Sequence, residues 1–191
     1  MRVRGTLEGG AIAAAQAAGV TLEPAAPRAL PEVDPVGAGG RVLGLYTGGT
    51  LASEARLILT AAGASAEVLD LGDDEYTAGK PHPMIDPAAR AKKIADAGSD
   101  PSVSVVLLDL VLGYGSSPDP GTPVAEAVGT AVATARAAGR DLLVIGSVCG
   151  TDGDPQVIAR QRDLLTAAGV VLVDSNAGAS RLAARAMGGR A

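Results

Sequence analysis

Tryptophan and phenylalanine are absent from these 191 residues, and aromatic side chains make up only 2% of them. Stacking platforms for single-stranded nucleic acid are therefore missing. The core has to come from Val, Leu, Ile and Ala, which suits strands buried on both faces. An excess of positive charge is missing too: the formal net charge is −5, which argues against a binder of phosphate backbones. A single cysteine cannot close an internal disulfide, in keeping with a reducing compartment. No apolar run approaches the length of a membrane span. The start of the chain, Met1 to Gly5, has no apolar segment of the signal-peptide kind. A cytoplasmic protein without nucleic-acid or membrane partners is expected.

Apolar residues, by contrast, reach 47%, enough for one sizeable core. Residues 1–39 form an arm: an Ala-rich stretch from Leu7 to Ala18 predicts a short helix, and Pro24, Pro27, Pro31 and Pro35 then mark a linker. Residues 40–191 alternate strand and helix. The strands are predicted at Val42 to Tyr46, Ala66 to Leu71, Val103 to Val111, Leu142 to Val148 and Val170 to Val173. Amphipathic helices follow near Leu51 to Ala62, Pro87 to Ala97, Pro123 to Ala138 and Pro155 to Ala168, and a last one closes the chain. Right-handed crossovers then give a doubly wound α/β domain of flavodoxin-like type. Its five-stranded parallel sheet is expected in the order 2-1-3-4-5.

In such a sheet every loop leaving a strand lies on one edge. The entering loops are short turns, several with Gly at the helix C-terminus. The leaving loops hold the only His, the only Cys and most of the Asp, Ser, Thr and Gly that could carry chemistry. Ligands of open α/β sheets bind at that edge.

Gly48, Gly49 and Thr50 stand between the first strand and the first helix of the domain. Glycines admit a ligand close to the backbone, and the free N–H groups with the helix dipole favour an anion. Thr47, Thr50 and Ser53 can add hydroxyl donors; the same residues also suit a plain tight turn. His82, held between Pro81 and Pro83, can act as general acid–base or as a donor to an anion. The neighbouring Asp73, Asp74 and Glu75 suit a solvated cluster better than a metal site, and no metal is assigned. Asp109 interrupts the third strand near its end, where a carboxylate needs a partner. Cys149 ends the fourth strand beside Gly150 and Thr151. Asp154 and Pro155 suit a helix start, which leaves Gln156 unexplained.

The strings YTGGTLASEA, LDLGDDEYTAGKPHPMIDP, LLDLVLGYGSSPDP and VCGTDGDPQ resemble the FdrA family of acyl-CoA-synthetase-like proteins. They span most of residues 41–176. More distantly, the domain is similar to the second, ligase-CoA domain of the succinyl-CoA synthetase α chain. There an SGTLTYE-like segment opens a helix whose N-terminus holds the phosphate of a phosphohistidine. Residues Gly49 to Glu54 match that segment, so the resemblance implies an anion site at Gly48, Gly49, Thr50 and Ser53. Two features of the synthetases are absent. The GHAGA-like phosphohistidine loop is replaced by CGTDGDPQ, and the EIGG-like segment by LVLGYG, so a phosphohistidine relay is not expected.

For the FdrA family the resemblance implies part in carbamoyl transfer from carbamoyl phosphate to oxamate, with His82 and Asp109 as catalytic residues. Asp74, Gly113, Cys149, Gly150, Thr151, Gln156 and Asn176 would then contact substrate. No covalent cofactor is implied; CoA or carbamoyl phosphate would be a substrate. A homo-oligomer, or a complex with separately encoded FdrA-type subunits, is expected. An acyl-CoA ligase subunit and a non-catalytic scaffold stay open as alternatives.

Overall fold

The longest apolar run of the chain becomes the middle of the sheet. In the computed structural model, which describes residues 5–20, 30–36 and 39–189, β3 (Val103–Val111) lies between β1 (Arg41–Tyr46) and β4 (Leu143–Cys149). β2 (Ala66–Asp70) and β5 (Val171–Leu172) form the edges. Every pairing is parallel and the order is 2-1-3-4-5, the expected doubly wound, flavodoxin-like sheet. Register sets Gly44 between Val68 and Leu107, and Asp109 opposite Ser147.

The period of two sorts each strand onto two cores. Val42, Tyr46, Val105, Leu107 and Ile145 pack against α2 (Gly49–Ala61) and α7 (Asn176–Ala186). Leu43, Leu45, Val106, Leu108 and Val144 face the other way, toward α4 (Ala88–Ala97) and α5 (Gly121–Ala137), with α6 (Ile158–Ala167) beside α5. With Phe and Trp absent, the helices lie close on small side chains. α7 buries Ala177, Gly178, Ala179, Ser180, Ala183 and Ala184, small side chains on nearly every side of its first turns. Tyr46 is the one fully buried aromatic among the described residues.

Three local expectations change. The second leaving loop carries a one-turn helix, α3 (Asp74–Thr77), capped by Asp73, whose carboxylate accepts from the Glu75 N–H at 3.1 Å. The arm is not a bare linker: Leu30, Val33 and Val36 pack on the α2/α7 core, and the Val36 N–H donates to the Ala186 carbonyl at 2.9 Å. Pro31 and Pro35 lie in that packed stretch; Pro24 and Pro27 fall outside the described residues. Before it, α1 (Leu7–Ala17) is capped by Thr6 but buries no residue. Third, α6 begins at Ile158 and not at Pro155. The Asp154 carboxylate turns back to accept from the Thr151 N–H at 2.6 Å, so it closes a turn and caps no helix. No helix among the described residues is long and apolar enough to cross a membrane.

Candidate functional site at the carboxyl edge of the sheet

β1 ends at Tyr46, and within three residues the chain has turned into α2. Gly48 is the N-cap in extended conformation, and no side chain caps the helix. Gly49 and Thr50 are exposed, so the first-turn N–H groups face outward with the positive end of the helix dipole. Ser53 is exposed one turn further along. Asp70, at the end of β2, comes close from the side: a Cβ on Gly49 would stand 2.8 Å from its Oδ2. A side chain at 49 would therefore have to turn the free end of Asp70 aside.

What fixes the turn is Asp109. It is fully buried, and its carboxylate accepts from the Thr47 N–H at 3.1 Å and the Thr47 hydroxyl at 2.8 Å. On its other side stands Arg90 of α4, which is 2% exposed, at 3.0 Å. The same guanidinium donates to the Asp109 carbonyl and, through Nε, to the Leu45 carbonyl at 3.2 Å. One cation thus ties the ends of β1 and β3 together at the point where strand order reverses. Burial pulls the Arg90 guanidinium below its ordinary value, and the Asp109 charge opposes that shift. The expectation of a catalytic Asp109 is corrected accordingly. Its lone pairs are spent on Thr47 and Arg90, behind the loop, and it acts as a positioning residue. Sequence reasoning missed Arg90, although a signal exists: Arg90, Ile94 and Ala97 share the buried stripe of α4.

His82 lies beside this turn. Its Nδ1 accepts from the Met84 N–H at 3.2 Å, so the neutral ring carries its proton on Nε2. That Nε2 packs over Gly72, where a Cβ would stand 2.5 Å from it and 2.7 Å from the Thr47 carbonyl. The loop is anchored as well, since the Ser117 N–H donates to the Met84 carbonyl at 2.7 Å. His82 and the Gly48 turn are therefore brought together across Gly72. Asp74 is not among them: it is exposed in the first turn of α3.

On the α5/α6 side the expected substrate contacts are spent on structure. Gln156 is buried and clasps the β3 exit loop. Its Oε1 accepts from the Gly113 N–H at 3.1 Å, and its Nε2 donates to the Gly113 and Ser117 carbonyls at 2.9 and 3.1 Å. Gln156 and Gly113 are thus corrected to a loop clamp, because Gln156 is buried with both amide hydrogens donated, and the N–H and carbonyl of Gly113 are both taken. Thr151 belongs to the Asp154 turn. Val157 follows at φ 55°, a left-handed conformation that a β-branched residue adopts only under constraint. Here the clamp holds Gln156 inward and α6 starts immediately afterwards.

The third part of the edge is a cavity of about 280 Å³ between the first turns of α2 and α7. Cys149, Gly150 and Asn176 line it together, with Glu54, Ser147 and Leu7. Asn176 is the hub: its Oδ1 accepts from the Tyr46 hydroxyl at 2.8 Å, and its Nδ2 donates to Glu54 Oε2 at 2.8 Å and to the Leu51 carbonyl at 3.0 Å. Burial, with the nearby Asp109 charge, pushes the Tyr46 phenol far above its ordinary value. Glu54 was not singled out from the sequence. It lies off the Ala52, Ala55 and Leu59 stripe of α2, and its burial comes from α7 and the arm.

Set against known proteins, residues 45–186 match the model of the CoA-ligase family, described as CoA-ligase. The chain belongs to the CoA-ligase family. The matched stretch runs from the last residues of β1 to the end of α7, so it takes in the whole carboxyl edge. A curated relative, "Uncharacterized protein YahF" of Escherichia coli (strain K12), is 44% identical over 115 residues, 60% of this chain and 22% of that protein. A solved structure, PH0766 from Pyrococcus horikoshii OT3, has the same fold with a TM-score of 0.52. It is 16% identical and overlaps 81% of this chain and 36% of that one. This CoA-ligase domain thus spans about a fifth of the curated relative and about a third of the solved one.

Proposed function

We propose that the domain holds the phosphate end of a small carbamoyl or acyl phosphate at the start of α2. It would take part in transferring that group as a subunit of a carbamoyltransferase of FdrA type. The observation that carries this reading is the uncapped first turn of α2, open at Gly48, Gly49 and Thr50, with the Nε2–H face of His82 beside it. Fixed N–H dipoles and an imidazole donor stabilise the charge that gathers on a leaving phosphate. In carbamoyl transfer the acceptor nitrogen attacks the carbamoyl carbon, the C–O bond to phosphate breaks, and phosphate leaves with the bonding pair and takes up the proton that the nitrogen gives up. With its proton on Nε2, the neutral His82 lacks a free lone pair there, so it suits the role of donor better than that of phosphorylated carrier. The Asp70 carboxylate beside Gly49 is unfavourable to a dianion, and the first-turn N–H groups and the neutral His82 Nε2–H donor have to outweigh it.

Family membership favours one second reading, an acyl-CoA ligase subunit in which the same turn holds an acyl phosphate. Other subunits or domains would supply the remainder of either site. Titration calorimetry with phosphate and carbamoyl phosphate tests the anion site. Gly48→Val is the informative variant, because its backbone is extended and a Cβ there meets nothing within 4 Å. It should keep the fold and lower affinity by about tenfold through blocked approach to the N–H groups. Equal binding by wild type and Gly48→Val would reduce the site to a turn.

A further inference from the structure

Glu54 is a carboxylate only 7% exposed, yet among the described residues it has no cationic partner. Two N–H donors satisfy it: Asn176 Nδ2 on Oε2, and on Oε1 the backbone N–H of Leu7 at 2.7 Å. Leu7 is the first residue of α1, which buries nothing of its own, and its side chain is 50% exposed. The arm helix thus touches the domain through the Glu54 carboxylate, and through Glu8 to the Ser175 hydroxyl at 3.5 Å, with none of its own residues buried. An N–H group presented to a buried carboxylate at the wall of a cavity at the ligand edge is what a bound amide would offer. We propose that this cavity binds the amide NH2 of a small ligand, that Glu54 recognises it, and that α1 competes for the same carboxylate oxygen with the Leu7 N–H. The inference rests on the reading of this edge as a carbamoyl or acyl phosphate site, and it places the amide end between α2 and α7.

The geometry gives the selectivity. A methyl group in place of the NH2 would leave Glu54 Oε1 buried without a donor once Leu7 has been displaced, and a site built on such a donor rejects the analogue lacking it. Displacing α1 breaks the Leu7 N–H bond to Glu54 and the long 3.5 Å contact from the Ser175 hydroxyl to Glu8, and uncovers no buried residue of α1.

Oxamate and pyruvate provide the test, being alike in shape and charge and differing in NH2 against CH3. In the full chain, oxamate should bind about tenfold tighter than pyruvate, the size of one charge-assisted hydrogen bond. It should also shift the Leu7 amide signal and speed its exchange with solvent. Leu7→Pro deletes the competing N–H at the first helical position, where proline is well tolerated, after a Thr6 already extended at φ −139°. That variant should bind oxamate and pyruvate each several-fold more tightly, since neither then has a Leu7 N–H to displace, and should keep the preference for oxamate. Glu54→Gln, checked by thermal melting to be folded, should lose the preference for oxamate. Equal binding of oxamate and pyruvate, or ammonium competing as well as oxamate, would overturn the amide site. If phosphate still binds at α2 in that case, the proposed function survives. An intact oxamate preference without phosphate binding would overturn the phosphate site and leave Glu54 in place. Absence of both removes both.

Discussion

Arg90→Met puts the buried ion pair under direct strain of charge. Methionine fills much of the same volume, but it leaves the Asp109 carboxylate fully buried with only Thr47 as donor and strips Leu45 of its side-chain hydrogen bond. Removing one partner of a buried pair costs about 3–5 kcal/mol, because the remaining charge is neither solvated nor paired. In a chain of this size that corresponds to a fall in melting temperature of roughly 6–20 °C. Asp109→Asn should cost a similar amount, now stranding the guanidinium. The double variant removes both charges, so it should be less destabilised than the sum of the singles by about 2–3 kcal/mol. Calorimetric or chemical denaturation of the four proteins closes the cycle. Hydrogen exchange at the Thr47 amide supplies a local readout, since its protection should fall in both single variants. A loss under about 1 kcal/mol for Arg90→Met, or additivity across the cycle, would refute the claim that this pair fixes the strand-order switch point.

Val157→Gly should stabilise the protein by about 1 kcal/mol by removing left-handed strain at φ 55°, a net gain even after the entropy of glycine; a lower melting temperature would show that the conformation is unstrained. Gly72→Ala should cost about 1–3 kcal/mol and displace His82, because the added Cβ meets Nε2 at 2.5 Å and the Thr47 carbonyl at 2.7 Å; an unchanged His82 ring spectrum would contradict the packing. Of the three tyrosines, Tyr46 should keep its proton until the protein unfolds in ultraviolet titration. Its folded value lies above the unfolded one, so the stability it contributes is complete below about pH 10 and falls as pH rises further. A phenolate of Tyr46 in the folded protein near pH 10 would exclude that burial.

The five apolar runs, their alternation with helices and the two-residue period within them determined by themselves a covered parallel sheet and its order. Only one hand of crossover and one set of covered faces satisfy them. The same runs placed the polar loops on one edge, and there the reach of sequence ends. Periodicity is a property of neighbours along the chain, whereas a side chain's role at the edge depends on partners far from it in sequence. Asp109 became a positioning residue because Arg90 and Thr47 meet it from two other elements. Gln156 became a clamp because Gly113 lies within its reach. Asp154 ceased to be a helix cap because the Thr151 N–H was nearer. Glu54, an ordinary helix residue in sequence, was buried only when α7 and the arm closed over it. Backbone pattern chose the fold because many weak contacts average over each strand; single buried hydrogen bonds, settled only by packing, decided which polar residues stay open to a ligand.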